Sequence, residues 1–332
     1  MEGTITMTNL LDEMMSSDLV RVRQVKGEDD VYACNFTRDA FMNHDWNELT
    51  TKARGLFLDS DGNVVMRGFE KFFNIGENSE TTMDKVHGNM EYPARVESKE
   101  NGFLGLIGAK PVHGEFRFYS KSGNTDWSDL ISNEFNREFD EATRERLWGL
   151  IRSHDVTLAM EVVDRDSDRH IIEYEESALY YIHAIRNTVE FLIDDDADKD
   201  IAPLFSHHPT HEMVYSQDEL DRAIERANDS EREGCVVYGA NGYMVKVKSD
   251  LYLKTKYLRV PLNRVLVNGR GVPNDGSSRS RAVRWVIEHA DPSRIVYTAR
   301  NTGRKEVDMS YVSKLLLGDR DVLDSIELPF AS

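Results

Sequence analysis

The spacing of apolar residues along the chain changes period several times, and each change marks an element. At 56–66 two short apolar stretches flank Asp61-Gly62, the pattern of two strands joined by a tight turn. Stretches 96–107 and 115–120 read as further strands, whereas 128–153 carries helical spacing throughout. Strand patterns return at 157–163, 170–174 and 179–185. Ser216 followed by Glu219 is a capping box that opens a helix to about Asn228. Stretches 235–238 and 243–248 form a hairpin around Ala240-Asn241-Gly242.

Past Val260 the pattern loosens. Residues 268–278, rich in Gly, Asn and Ser, read as a flexible connector, and helical spacing resumes at 281–289 and 307–317. The pattern predicts an α+β fold with antiparallel sheets over 1–258. A small, mostly helical C-terminal domain follows over 259–332.

Composition narrows the class. The 332 residues are 40% hydrophobic and 30% charged, which suits a soluble globular chain of about two domains. No uncharged apolar run approaches the roughly 20 residues that span a bilayer, so no membrane association is expected. The N-terminal segment is polar and acidic and lacks the basic start of a signal peptide. Cys34 and Cys235 are the only cysteines, too few for a disulfide framework or a zinc site, so a reducing cytoplasm is expected; a monomer is expected as well. The net charge of −18, taken alone, argues against a nucleic-acid binder, because phosphate contacts need clustered Lys and Arg. It describes the average surface and leaves a locally basic cleft open. Two clusters read as loops rather than metal sites: the acidic run Asp194-Asp195-Asp196-Ala197-Asp198, and His207, His208 and His211 around Pro209.

The candidate chemistry centres on Lys99-Glu100-Asn101-Gly102 at a strand end. Alone, a lysine beside a glycine turn is an ordinary turn. Further along stand Glu161 on a strand, Glu233-Gly234 opening a strand, and Lys246-Val247-Lys248 on the last strand of the hairpin. Side chains two apart on a strand share a face, so Lys246 and Lys248 point into one space while Val245 and Val247 turn to the core.

This ordered set resembles the covalent nucleotidyltransferases, the DNA ligases, RNA ligases and capping enzymes, whose motifs are Lys-x-Asp-Gly, Glu, Glu-Gly and Lys-x-Lys. It is more closely similar to the phage RNA ligase 1 family. Arg54-Gly55, Glu70-Lys71-Phe72-Phe73-Asn74, Ser120-Lys121-Ser122-Gly123, Asp168-Arg169-His170-Ile171-Ile172, Ala184-Ile185-Arg186 and Lys246-Val247-Lys248-Ser249-Asp250-Leu251-Tyr252 carry that likeness over about residues 30–256. The chain departs from the family in having Asn101 where Asp is usual, a feature in which fungal-type tRNA ligases are similar to it.

The resemblance implies a nucleotidyltransferase fold with sheets around an ATP cleft, and an ATP-dependent RNA ligase. Lys99 would take AMP from ATP and pass it to an RNA 5′-phosphate, and a 3′-OH would then displace it. A nicked tRNA anticodon loop is one RNA of that kind. Lys246 and Lys248 would lower the proton affinity of Lys99 and bind the α-phosphate. Arg54 and Lys71 would orient the outer phosphates, while Lys121, Asn101, Gly102 and Asn35 would contact the nucleotide. Glu161 and Glu233 would hold Mg²⁺ or Mn²⁺, with the ribose hydroxyls as another contact for Glu161 and a strand-end salt bridge as the plain alternative for either. Two other outcomes compete: another covalent nucleotidyltransferase of DNA ligase or capping type, and an inactive nucleotide- or RNA-end-binding module.

Overall fold

The computed structural model describes residues 9–167, 170–300 and 302–329. Asp168 and Arg169, part of the pattern noted above, lie outside the described residues. In chain order the strands are β1 (Val20–Gln24), β2 (Tyr32–Phe36), β3 (Leu56–Leu58), β4 (Val64–Arg67), β5 (Ala94–Ser98), β6 (Phe103–Ala109), β7 (Phe116–Ser120), β8 (Val156–Val163), β9 (Ala178–Arg186), β10 (His211–Val214), β11 (Gly234–Tyr238), β12 (Met244–Lys248), β13 (Val296–Thr298) and β14 (Lys305–Val307). The chain forms two compact units.

The first unit comprises Met1–Phe72, Phe103–Val162 and Ala178–His208. It holds two four-stranded sheets, ordered β1-β2-β3-β4 and β7-β6-β8-β9. Ile107, Leu158 and Met160 are fully buried, and Phe135, Leu147 and Ile151 of two helices pack into the same core. The helical stretch expected over 128–153 is two helices, Asp126–Glu138 and Glu141–His154. The break falls at Asp140, whose carboxylate accepts from the Thr143 amide at 2.8 Å and caps the second helix. The acidic run at 194–198 is not a loop either. Asp194 caps the helix Asp195–Ile201 and pairs with Arg186 at 2.7 Å, so the carboxylates sit at a helix N-terminus, where the backbone dipole favours them.

The second unit comprises Phe73–Gly102, Val163–Ser177 and Pro209–Ser332. Its main sheet is ordered β10-β5-β11-β12, with all the assigned pairs antiparallel. The amphipathic helix Gln217–Asn228 lays Leu220, Ala223 and Ile224 into the same core as Val96, Val237, Val245 and Val247. The 96–107 stretch, read as strand, is broken by the turn at 99–102, so β5 and β6 belong to different sheets. Segment 170–174 is irregular rather than a strand. A further core joins Leu251, Tyr252, Leu258 and Leu262 to Val283, Val286, Val312 and Leu316. The helix Asp250–Leu262 spans the boundary expected between 258 and 259. Among the described residues no helix is long and apolar enough to cross a membrane.

Candidate active site

In the second unit the sheet register brings four of the predicted residues to one point. β5 pairs with β11 so that Ser98 faces Cys235, and β11 pairs with β12 so that Gly234 faces Lys248. Lys99 continues the first pairing by donating its amide to the Gly234 carbonyl at 2.9 Å. The end of β5, the start of β11 and the end of β12 therefore meet at one end of the sheet.

Glu233 is the hub. Its side chain is 3% exposed, and one carboxylate oxygen lies 3.1 Å from Lys99 Nζ and 3.2 Å from Lys248 Nζ. Asn101 Nδ2 donates to the other oxygen at 2.9 Å. Burial pushes the Glu233 pKa up, but the two lysine charges and their hydrogen bonds outweigh it, and the group titrates below the ordinary glutamate value. Lys248 Nζ also stands 4.7 Å above the Tyr252 ring. Lys246 alternates with buried Val245 and Val247 as expected, and its backbone amide donates to the Phe73 carbonyl at 3.1 Å.

Asn101 joins this cluster to a segment distant in sequence. Its carbonyl oxygen accepts from the amides of Ile171 at 3.0 Å and Ile172 at 3.1 Å. Its own amide donates to Tyr174 Oη at 2.5 Å, and that hydroxyl donates to Glu100 Oε2 at 3.0 Å. Tyr174 was not singled out from the sequence, and nothing local marks it. The chain uses Asn because the side chain must donate to Glu233 and accept from the backbone at once. Asn101→Asp keeps the acceptor and puts a second carboxylate against Glu233. We expect a loss on the order of 1–3 kcal/mol from the mispaired buried group. The pair would retain a proton more tightly in the folded than in the unfolded protein. The variant's stability deficit should therefore grow as pH rises from about 5 to about 8. Urea unfolding across that range checks this, and a deficit that is flat with pH would count against the geometry.

In the first unit a second group forms. Arg54 lies just before β3, donates to the Phe69 carbonyl at 3.0 Å, and feels the Glu161 charge, which partly offsets the burial that lowers its pKa. Glu161 faces Leu104 across β6 and β8, and Lys121 follows Ser120, which faces Gly105 across β6 and β7, so both sit at the same end of that sheet. Partial desolvation and the Arg54 charge lower the Lys121 pKa. Lys71 Nζ lies 4.9 Å over the Trp46 ring. Asn35 is a half-buried residue of β2 opposite Arg21. Gly102 closes the turn that leads into β6. Nearby Arg67, which the sequence reading passed over, is almost fully buried and binds the Thr188 and Val189 carbonyls and Glu70, a structural role.

Among the described residues no group of three or more His, Cys, Asp or Glu side chains is placed to hold a cation. Glu233 already faces two ammonium groups and an amide, so these residues build no protein-only metal cage.

Comparison with known proteins fits this arrangement. The chain is 30% identical over 165 residues to tRNA ligase 1 of Schizosaccharomyces pombe, an alignment that covers 43% of this chain and 20% of that protein. It is 24% identical over 270 residues to a putative RNA ligase of Thermovibrio ammonificans, covering 79% of this chain and 66% of the other. The chain thus spans about a fifth of the yeast protein it matches. An archaeal ATP-dependent RNA ligase shares the fold, with a TM-score of 0.53 at 15% identity over 86% of this chain and 72% of that one. The sequence profile of the RNA ligase family matches residues 52–256, well over half of the chain. With Lys99, Glu233 and Lys248 meeting at one sheet end inside that span, the chain belongs to the RNA ligase family, in its phage RNA ligase 1 branch.

Proposed function

We propose that the chain seals RNA ends at the expense of ATP, with Lys99 as the carrier of AMP. The observation that carries this reading is the sharing of one buried carboxylate, Glu233, by Lys99 and Lys248. A lysine nucleophile must be neutral to attack, and a second ammonium beside it favours loss of its proton, while the carboxylate alone would oppose it. An incoming phosphate competes with Glu233 for Lys248, so the lysine that holds the carboxylate in this structure is the one that receives the α-phosphate.

Each step balances. The Lys99 amine gives up a proton and attacks the α-phosphorus; the bond to the β-phosphate oxygen breaks and pyrophosphate leaves. An oxygen of the RNA 5′-phosphate then attacks the same phosphorus, and Lys99 leaves and is reprotonated. Finally the 3′-OH attacks the RNA 5′-phosphorus, loses its proton, and AMP leaves. Lys246 and Lys248 hold the phosphoryl oxygens as charge develops. Arg54 and Lys71 orient the outer phosphates, for which the guanidinium fork is suited. Lys121 and Asn35 contact the nucleotide, and Asn101 and Gly102 shape the nucleophile's turn. A divalent cation, Mg²⁺ or Mn²⁺, would neutralise phosphate charge when bound; Glu161 and Glu233 are the carboxylates assigned to it, with phosphate and water supplying most ligands. Residues 1–258 carry the chemistry, and 259–332 form the substrate-selecting appendage. Nicked tRNA is the natural first substrate to try.

The test is intact mass spectrometry after incubation with ATP or GTP and either cation, followed by sealing of 5′-phosphorylated RNA and of nicked DNA. An AMP adduct from ATP alone, and sealing of RNA above DNA, are expected. A GMP adduct would point to capping chemistry. No adduct under any condition would leave only a binding module.

A further inference from the structure

The charge of the chain is unevenly placed. Residues 1–258 contain 29 Lys and Arg against 50 Asp and Glu, whereas 259–305 contain 10 against 3. Several cations elsewhere in this acidic protein pair with a carboxylate, as Arg117, Arg186 and Arg226 do. Arg264, Arg270, Arg281 and Arg284 are exposed, and among the described residues none lies within 4.0 Å of a carboxylate oxygen. Two of them bond to neutral groups: Arg281 donates to the Gly276 carbonyl at 2.7 Å and Arg284 to Asn274 Oδ1 at 3.1 Å. A guanidinium has five donors, so most of each fork stays available.

These residues are neighbours. Arg281, Arg284 and half-buried Trp285 line a groove of about 300 Å³ on the helix Ser278–His289, together with Glu288. A second groove, of about 190 Å³, holds Arg264, Arg279 and Asp275 and shares Ser280 with the first. The turn that bears Arg270 closes on the Arg264 carbonyl at 2.9 Å. The Asp275 carboxylate is taken up by the Ser277 and Ser280 hydroxyls at 2.6 Å each. The Trp285 ring is stacked on His289 with centroids 4.4 Å apart. The helix Asp250–Leu262 starts directly after Lys248 and ends just before Arg264. At 1.5 Å per residue its 13 residues run about 20 Å.

We propose that the face around Arg264, Arg270, Arg281, Arg284 and Trp285 is a docking surface for a single-stranded segment of RNA, gripping phosphates with the arginines and stacking a base on the tryptophan. The proposal rests on the RNA ligase reading for the identity of the polyanion. Charge complementarity selects a polyanion, and the ring in the groove selects one with bases. The surface begins about 20 Å along a helix from Lys248, so it would hold RNA flanking the end to be joined rather than the end itself.

The experiment measures binding of a 3′-labelled, 5′-phosphorylated oligoribonucleotide by fluorescence anisotropy at several salt concentrations, alongside AMP-adduct formation with ATP. The double variant Arg281→Glu/Arg284→Glu should weaken binding by tenfold or more and lower the salt slope by about 1.4, near 0.7 per lost phosphate contact. Its adduct formation should match the wild type, which also reports that it is folded. Trp285→Ala should weaken binding while leaving the slope unchanged. Should the glutamate pair fold poorly, Arg264→Gln/Arg270→Gln makes the same test with smaller charge change. Unaltered affinity and slope in variants that still take AMP would overturn the proposal. So would polyglutamate competing as well as RNA, since the surface would then serve any acidic chain. Absence of the adduct in the wild type instead overturns the ligase reading and leaves the binding result to be judged separately.

Discussion

Lys99→Ala should lose the AMP adduct, with adenylylation down by roughly 10⁴-fold or more, as when an enzyme's covalent nucleophile is removed. The fold should survive. The backbone bond from the Lys99 amide to Gly234 is untouched, and Glu233 keeps Lys248 and Asn101 as partners. The cost should therefore stay below the 3–5 kcal/mol or so that follows when a buried charge is left alone. Lys99→Arg is the sharper control. It restores the charge beside Glu233, but a guanidinium does not lose its proton in a protein and cannot attack. Both variants should unfold near the wild-type urea midpoint and neither should gain the mass of AMP. An adduct on either one would move the nucleophile elsewhere, with Lys248 or Lys246 the next residues to test.

The parts of this site that could be read from the chain were those set by local pattern. Val245 and Val247 alternate with Lys246 and Lys248, and the strand buries the valines as the period of two requires. The Asp61-Gly62 turn between β3 and β4 and the Ser216 cap before Gln217–Asn228 were likewise legible from turn and cap chemistry. The break at Asp140 was missed: Asp140 and Thr143 stand at cap spacing, but helical periodicity over 128–153 masked them. Segment 170–174 was not legible. Its His-Ile-Ile-Glu-Tyr run suggests a strand, yet its amides bond to the Asn101 side chain some 70 residues away in sequence, and no window of the sequence contains that partner. Tyr174 was missed for the same reason. The acid at 233 was placed by its motif, but that both Lys99 and Lys248 sit on one of its oxygens follows only from the register of β5, β11 and β12.

Gly234→Ala should remove most of the protein's stability, more than any other single methyl addition near the site. Gly234 has φ +141°, a region that side chains rarely enter, and a Cβ built there would lie 2.0 Å from the Val247 carbonyl oxygen and 2.8 Å from Lys248 Cα. Backbone strain of this kind costs about 1–3 kcal/mol, and the clash adds to it because the colliding atoms are backbone of the paired strand and have no rotamer to turn to. A total above about 4 kcal/mol is expected, enough to exhaust a large share of a normal folding free energy. Gly242→Ala supplies the comparison. Its φ is +82° but nothing lies within 4 Å, so it bears the conformational strain alone. Urea unfolding of the two variants should separate them by several-fold in ΔΔG. If Gly234→Ala lies within about 1 kcal/mol of Gly242→Ala, the close approach of β11 to β12 is not as described. If it is soluble but loosened, adduct formation should fall with stability, because Gly234 is paired with Lys248 and its neighbour Glu233 holds Lys99. The glycine of the Glu-Gly pair would then owe its place to geometry: it lets β12 come close enough for Lys248 to reach the carboxylate that Lys99 also holds.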